Sequence, residues 1–268
     1  MGTSLALVGC GAIGSALLKG WLTLSDFETR FKKMWVIAPH REKVEPFLQN
    51  AHVEWLSSPQ GLSQTPDIIV LAVKPFLLAE VLPLYKSFPS LFISVASGKS
   101  LAFYENFLPA PLSLIRAMPN TPVCIHKGVI GLLSNTSVTV EQKNLAEKCF
   151  NGLGFYTWLQ SDEDIDKMTA ISGSGPAYVF FLIEALAQAA EALGFSKGIA
   201  INLALTTFWG ASTYAHESDL LPDELRRHVT STKGTTAAAL NVLETKGLHN
   251  LMKEAVKAAY LRAVELRQ

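Results

Sequence analysis

The chain has 268 residues, of which 49% are hydrophobic and 17% are charged, and its 23 Lys and Arg residues balance its 23 Asp and Glu residues. This composition allows a substantial core and argues against disorder, while the balanced charge argues against nucleic acid and anionic membranes as partners. We therefore expect small molecules and further protein subunits as partners. The 3 cysteines form no metal-like or disulfide pattern. With no basic leader and no apolar segment expected to be long enough to cross a bilayer, the chain is predicted to be cytoplasmic.

The first part of the chain alternates strand and helix patterns, which is typical of a parallel sheet covered on both faces. The predicted strands are Leu5–Gly9, Met34–Ala38, Ile68–Val73, Leu91–Val95, Leu114–Met118, Val129–Ser134 and Gly154–Leu159. The predicted helices among them are Ala12–Ser25, Arg41–Asn50 and Val140–Gly152. We predict a doubly wound α/β domain of the Rossmann type over residues 1–161.

From residue 162 onward the strand pattern gives way to helices. The predicted helices are Asp162–Ile171, Pro176–Leu193, Ser196–Ser218, Pro222–Val229, Thr235–Lys246 and Leu248–Gln268. The second and third are apolar around most of their circumference and must be buried on most sides, which a helical domain of roughly 100 residues hardly allows. We predict an all-helical dimerisation domain over 162–268 in an intertwined homodimer. The alternative is burial of these helices within their own domain.

A glycine motif links the first predicted strand to the first helix, which is the context of a dinucleotide-binding loop. In this motif Gly9 permits the tight turn, Gly11 lets a pyrophosphate approach, and Gly14 allows close contact of helix and strand, with Ala12 and Ile13 between them. The sequence therefore predicts a nucleotide cofactor.

The second predicted strand ends without the carboxylate that usually binds the ribose of NAD. Arg41 follows instead and is suited to a 2′-phosphate, with His40 beside it, so we expect NADP to be preferred. Alternatively, Arg41 starts a solvated helix and Glu42 serves NAD. Lys74, after the third predicted strand, either faces the nicotinamide ribose or is solvated.

The segment Ile171–Tyr178 combines glycine, serine and proline before an apolar helix. Such a segment predicts a helix entrance whose free amides bind a small acidic substrate. The alternative is a loop followed by proline in the first helical turn, without a functional role.

Six motifs, taken in order, resemble those of the pyrroline-5-carboxylate reductase family over nearly the whole chain. They are GCGAIG at Gly9–Gly14, LAVKP at Leu71–Pro75, SVASG at Ser94–Gly98, RAMPNTP at Arg116–Pro122, ISGSGPAY at Ile171–Tyr178, and GTT at Gly234–Thr236 followed by ALNVLE. The resemblance implies a C-terminal domain like that of 6-phosphogluconate dehydrogenase, an interlocked dimer, and reduction of Δ1-pyrroline-5-carboxylate to L-proline. It also implies NADP(H) as the preferred cofactor, with NAD(H) possible.

The resemblance further implies roles for individual residues. The cofactor would be bound by Gly9, Gly11, Ala12, Ile13, Gly14, His40, Arg41, Ala72, Val73, Lys74, Pro75, Ala96, Met118, Pro119 and Asn120. The substrate would be bound by Gly175, Ser231, Thr232, Lys233, Gly234, Thr235 and Thr236. The catalytic residues would be Thr236, near the ring nitrogen, and Asp219, where relatives commonly carry glutamate.

Plainer roles stay open for several of these residues. Thr236 could cap a helix, Asp219 could be a solvated loop carboxylate, and Asn120 could satisfy turn backbone. Lys233 and Ser58-Pro59 depart from the family pattern, in the substrate loop and near the adenosine ribose respectively. No metal site is predicted. Other functions weighed are an imine reductase, a β-hydroxyacid dehydrogenase, for which Ala177–Leu193 lacks the required lysine, and a catalytically silent NADP-binding protein.

Overall fold

The computed structural model describes Gly2–Arg267 and contains two compact units. The first unit runs to Ser174 and resumes at Ala259, and the second unit spans Gly175–Ala258. The strands are β1 Thr3–Val8, β2 Phe31–Ile37, β3 Val53–Leu56, β4 Ile68–Leu71, β5 Leu91–Ser94, β6 Leu114–Pro119, β7 Gly128–Ser134 and β8 Gly154–Trp158. The helices are α1 Ala12–Leu22, α2 Phe27–Arg30, α3 Leu78–Val81, α4 Leu101–Glu105, α5 Val140–Phe150, α6 Asp162–Met168, α7 Gly175–Ala192, α8 Lys197–Glu217, α9 Pro222–His228, α10 Thr235–Thr245 and α11 Leu248–Arg267.

The first unit is built on one sheet with the strand order β3-β2-β1-β4-β5-β6-β7-β8. The strands from β1 to β6 pair in parallel, while β7 runs antiparallel to β6 and parallel to β8. The order reverses direction between β1 and β4, the place where doubly wound sheets bind ligands beyond the carboxyl ends of their strands. The predicted Rossmann-type sheet and the helical C-terminal part are confirmed.

Successive residues of a strand point to opposite faces of the sheet. Here both faces are buried. On β1, Leu5 and Leu7 join a cluster that includes Trp21 of α1. Ala6 and Val8 join a second cluster on the other face. The sheet is therefore a central layer with apolar packing on both sides, as the near-continuous apolar sequence of its inner strands requires.

Two predictions about the region after β2 are wrong. Residues Arg41–Asn50 form two 3₁₀ turns, Arg41–Lys43 and Glu45–Phe47, rather than a helix. Pro46 lies in the second turn and cannot donate the backbone hydrogen bond that a helix interior needs. The edge strand β3 was not predicted, because it has only 4 residues and is mostly half-buried.

In the second unit, the long helices α7 and α8 pack on each other through small residues. Ala187 of α7 and Ala200 and Ala204 of α8 are their buried residues. Their large apolar side chains are exposed in the single chain, namely Val179, Phe180, Phe181, Leu186, Ile199, Ile201, Leu203, Leu205 and Trp209. Burial of these helices within their own domain is therefore wrong.

Helix α6 leads through a π-helical turn, Thr169–Gly173, into α7. Together they form a helix of 31 residues over Asp162–Ala192, with a mean hydropathy of 1.4 in its most apolar window. By length and composition alone this helix could cross a membrane. The expectation that no segment is long enough was wrong, because the sequence reading interrupted the helix at Gly173–Pro176.

Candidate functional site

The glycine loop after β1 has the shape of a pyrophosphate cradle. Gly9 has a φ of 97°, and a Cβ there would lie 2.8 Å from the carbonyl oxygen of Ala72. A Cβ on Gly14 would lie 2.3 Å from the carbonyl oxygen of Gly9, so helix α1 packs directly on the loop. Around Gly11, in contrast, no atom lies within 4 Å of a Cβ position. The loop is closed against β4 and open where a phosphate would approach.

The start of α1 is free to bind an anion. Gly11 is the N-cap residue of this helix and provides no side-chain hydrogen bond to the first amides. Such amides carry the positive end of the helix dipole and suit a phosphate. The predicted residues Gly9, Gly11, Ala12, Ile13 and Gly14 are thus brought together in a geometry that fits a dinucleotide.

Beyond the end of β2, Arg41 is held in place but remains accessible. Its Nε donates a hydrogen bond to Glu45 Oε2 at 2.9 Å, and its guanidinium lies 5.7 Å from the ring centre of Trp55. The side chain is 59% exposed. His40 lies 3.6 Å from Glu42 and is also exposed. Both side chains therefore lie exposed beyond the end of β2.

A further cation near the glycine loop was missed by the sequence reading. The thiol of Cys10 donates a hydrogen bond to the carbonyl oxygen of Lys43 at 3.5 Å. Burial raises the pKa of Cys10, and the charge of Lys43 opposes that rise. Only the fold reveals this proximity, since Lys43 is 33 residues from Cys10.

Residues 72–75 follow β4 at the same edge of the sheet. Ala72 is buried, and a Val73 Cγ atom lies 3.0 Å from the Cβ position of Gly9. Lys74 is exposed and precedes the 3₁₀ turn Pro75–Leu77. The structure thus brings residues 72 and 73 to the glycine loop and leaves the ammonium of Lys74 accessible.

The predicted residues Met118, Pro119 and Asn120 pack against the π-helical turn. Asn120 is buried; its Nδ2 donates to the carbonyl oxygen of Ser172 at 2.9 Å and its Oδ1 accepts from the amide of Val129 at 2.8 Å. A Cβ on Gly173 would lie 2.7 Å from Met118 Cε. The Asn120 side chain therefore joins two backbone segments and makes no cap hydrogen bond to the turn that follows it, contrary to the turn interpretation of this residue.

The segment Ile171–Tyr178 contains the start of α7 at Gly175, one residue before the predicted helix start, but a π-helical turn precedes it. The segment lies inside the long helix, and the amide of Ser174 donates to the carbonyl oxygen of Thr169 at 2.8 Å, a bond of the π type. The Ser172 hydroxyl donates to the Met168 carbonyl at 3.0 Å. The Ser174 amide and the Ser172 hydroxyl are therefore engaged in local hydrogen bonds to backbone carbonyls. Gly175 becomes the first residue of α7, with no atom within 4 Å of its Cβ position.

A buried polar cluster next to Ala96 was also missed by the sequence reading. Arg116, only 2% exposed, forms an ion pair with Asp162. The Tyr104 hydroxyl and the Ser94 hydroxyl share a hydrogen bond of 2.5 Å. Burial raises the pKa of Tyr104 to about 12, Asp162 adds to the rise, and Ser94 and Arg116 oppose it. We call these four side chains the Arg116 cluster.

The proposed substrate loop precedes α10 in the second unit. Lys233 has a φ of 61°, a left-handed conformation that suits glycine better than lysine. Gly234 is the N-cap residue of α10, and Thr235 and Thr236 are its first two residues. Thr236 is therefore not the helix cap, and that alternative is wrong. Asp219 is exposed in the segment between α8 and α9.

Within Gly2–Arg267, no group of three or more His, Cys, Asp or Glu side chains is arranged to hold a metal ion. The polar groups at the sheet edge are instead backbone amides, hydroxyls and basic side chains. These groups suit anionic, phosphorylated ligands.

Comparisons with known proteins extend these observations. Residues 162–266 match a family model described as pyrroline-5-carboxylate reductase dimerisation, and residues 4–98 match one described as NADP oxidoreductase, coenzyme F420-dependent. A pyrroline-5-carboxylate reductase of Pseudomonas aeruginosa is 39% identical over 206 residues, which is 75% of each chain. The enzyme of the same name from Corynebacterium melassecola is 32% identical over 98% of each chain.

Solved structures of two such enzymes are similar to nearly the whole of this chain. The pyrroline-5-carboxylate reductase of Coxiella burnetii has a TM-score of 0.90 and 34% identity, covering 100% of both chains. The Plasmodium falciparum pyrroline carboxylate reductase, solved with NADP bound, has a TM-score of 0.86 and 30% identity, covering 99% of this chain and 98% of that one.

Proposed function

Since the chain belongs to the pyrroline-5-carboxylate reductase family, we propose which of its residues carry out the reaction of that family. The chain is an NAD(P)H-dependent oxidoreductase of proline biosynthesis that reduces Δ1-pyrroline-5-carboxylate to L-proline and uses NADP(H). The observation that carries the cofactor assignment is the glycine loop, open at Gly11 and closed at Gly14.

In this proposal the first unit binds the cofactor at the carboxyl edge of its sheet. The amides from Gly11 to Ile13 hold the pyrophosphate, and Arg41 with His40 contacts the 2′-phosphate. Residues 72–75 lie along the nicotinamide ribose, and Ala96, Met118 and Pro119 lie near the nicotinamide ring. Asn120 supports this wall through its two backbone hydrogen bonds. Glycine geometry and the exposure of Arg41 support the first two roles.

The second unit provides the substrate groups. Amides and hydroxyls of Ser231–Thr236 bind the substrate carboxylate at the start of α10, and Gly175 lines the same pocket. Thr236 hydrogen-bonds the ring nitrogen, and Asp219 stabilises its positive charge. The position of Thr236 within the first helical turn, where it does not cap the helix, supports its assignment.

The reaction needs positioning more than acid–base chemistry. The glycine loop and Arg41 would hold NADPH, which would supply the hydride that reduces C5 of the protonated imine, with the electrons of the C=N bond passing to nitrogen to give the amine of proline. Thr236 orients the nitrogen, and the carboxylate loop fixes the position of C5. The basic groups and amides of both units neutralise the two anionic ligands.

A homodimer completes the second unit. The family match over 162–266 supports dimerisation, and the exposed apolar side chains of α7 and α8 provide a surface for it. We propose that these helices interlock between two copies, with the dimerisation and substrate-binding domain extending over 162–268 and the cofactor domain over 1–161. The same interface would bury the apolar side chains of the 31-residue helix, so their apolar character needs no membrane. In this proposal the enzyme is cytoplasmic and has no nucleic acid partners.

The test is oxidation of NADPH by the purified protein with Δ1-pyrroline-5-carboxylate, compared with NADH and with a pyrroline that lacks the carboxylate. We expect turnover with NADPH that depends on the carboxylate. Binding of NADPH without turnover would contradict the proposal and favour a silent NADP-binding protein. Turnover of the carboxylate-free pyrroline at the same rate would favour a broader imine reductase.

A further inference from the structure

The Arg116 cluster lies at the carboxyl edge of the sheet, and none of its four residues has a role in the site assigned above. Ser94 is the last residue of β5, and Arg116 lies opposite it on β6 in the parallel register. Tyr104 belongs to α4 and is fully buried, and Asp162 is the first residue of α6. The cluster therefore ties together four elements at one place.

The cluster encloses the segment 95–100, which contains Ala96. At the start of this segment, the Ser94 hydroxyl accepts a hydrogen bond from the amide of Ala96 at 3.3 Å. At its end, both carboxylate oxygens of Asp162 lie 3.4 Å from the amide nitrogen of Leu101, the first residue of α4. The two ends of this short segment are thus held by side chains of two neighbouring pairs, Ser94 with Tyr104 and Arg116 with Asp162.

Stability alone does not explain an ion pair at this position, where Arg116 is buried and Asp162 is 21% exposed. Removing two charges from water costs about as much as their attraction returns, and well-packed apolar residues are often equally stable. A buried, hydrogen-bonded pair does restrict geometry, because it permits few arrangements of the groups it joins. Errors of about 1 Å in the placement of reacting groups reduce rates by roughly a hundredfold.

We propose that Arg116 and Asp162 are positioning residues for hydride transfer, which fix the segment 95–100 beside the nicotinamide ring, and that Tyr104 and Ser94 complete this support. The inference rests on the proposed function, since it takes Ala96 to line the nicotinamide site. None of the four side chains contacts the reacting atoms. They act by holding the backbone of the segment that does.

The first experiment replaces both charges together, with Arg116→Met and Asp162→Leu in one chain, so that no unpaired charge remains buried. We expect the double variant to fold and to bind NADPH within about twofold of the wild-type Kd, while kcat falls by roughly tenfold or more. With NADPH deuterated at the transferred position, the isotope effect on kcat should increase, because a misplaced ring makes hydride transfer slower than product release. Thermal unfolding and NADPH titration are measured on the same samples.

Tyr104→Phe is the second variant and removes only the hydroxyl that meets Ser94. We expect a smaller fall in kcat, about threefold, in the same direction and with the same rise in the isotope effect. Arg30→Met is the matched control, since Arg30 is 11% exposed on its side chain, pairs with Asp26 and precedes β2 at the opposite edge of the sheet. It should lower stability and leave kcat and the isotope effect unchanged.

The outcomes distinguish a failure of the proposed function from a failure of the positioning role. If the wild-type protein does not reduce the substrate, the proposed function fails. If the wild type is active and the double variant and Tyr104→Phe keep its kcat and isotope effect, the positioning role is overturned while the function stands. A double variant that fails to fold leaves Tyr104→Phe to decide by the same two measurements.

Discussion

The two compact units bury their large apolar side chains to different extents. In the first unit, large residues such as Trp21, Phe31 and Tyr104 are fully buried by the chain's own helices and strands. In the second unit, Phe181 is 69% and Trp209 is 72% exposed. Exposed apolar surface of this size on helices indicates a subunit interface. The first unit therefore carries a complete core, whereas the second leaves large apolar side chains exposed in the single chain, which is what the proposed dimer would bury.

We expect the largest effect on assembly and activity from a charge placed in the apolar surface of the second unit. Phe181→Asp places a charge where a partner would bury it, at a cost of about 3 kcal/mol or more per subunit. We expect monomers in analytical ultracentrifugation and complete loss of NADPH oxidation. Phe155→Asp is the control, since Phe155 is 65% exposed on strand β8 of the first unit. A dimer that survives Phe181→Asp would show that this surface is not the interface.

The next effect tests the first unit's own packing at the glycine loop. In Gly14→Ala, the new methyl group meets the Gly9 carbonyl oxygen at 2.3 Å, so the backbone must shift, at a cost of about 1–3 kcal/mol. We expect a lower Tm without cofactor and loss of NADPH binding. Gly11→Ala adds the same group in open space. It should keep the Tm of the free protein and reduce only the rise in Tm that NADPH produces.

A smaller effect distinguishes the chemical role of the second unit from its structural role. Thr236→Ala should lower kcat by roughly tenfold with little change in the Kd of NADPH, because one hydrogen bond to the reacting nitrogen is lost. Thr245→Ala, at the other end of α10, removes a hydroxyl that donates to the Asn241 carbonyl at 2.7 Å. Steady-state kinetics should show no change for this control. Equal kcat values for Thr236→Ala and the wild type would remove Thr236 from the mechanism.

The smallest expected effect concerns cofactor choice in the first unit. Arg41→Ala should raise the KM for NADPH about fivefold, which corresponds to about 1 kcal/mol for one exposed charge contact, and should leave the KM for NADH unchanged. Parallel titrations with the two cofactors measure this. Lys43→Ala provides the comparison, since its charge lies closer to Cys10. If Lys43→Ala had the larger effect, recognition of the 2′-phosphate would belong to that lysine.

Segments whose apolar residues follow one regular period could be predicted from the sequence, and so could the order of the helices and strands. Strands such as Ile68–Leu71 are continuous apolar runs, and the glycine loop is a short motif whose geometry depends on neighbours in sequence. Long-range features were not readable. Lys43 near Cys10 and the Arg116 cluster arise from residues far apart in sequence, and no local pattern marks them.

Local sequence patterns were also ambiguous where the same residues suit two different structures. Glycine and proline at Gly173–Pro176 suit a helix start, and α7 does begin at Gly175 with Pro176 in its first turn. No local pattern marks the π-helical turn before it, where the Ser174 amide donates to the Thr169 carbonyl oxygen. At Arg41–Asn50, the apolar spacing resembled a helix and Pro46 prevented it.

The last residues of the chain belong to the first unit. Arg267 Nε donates to the buried carboxylate of Asp166 at 2.7 Å, and these residues are 101 positions apart. Leu266 lies against Gly98, at 3.0 Å from its Cβ position. During synthesis from the N-terminus, the sheet can form early, but these contacts must wait until residues 266 and 267 have been synthesised and have left the ribosome. The segment around Gly98 is therefore among the last parts of the first unit to reach its final form, after the second unit has been translated.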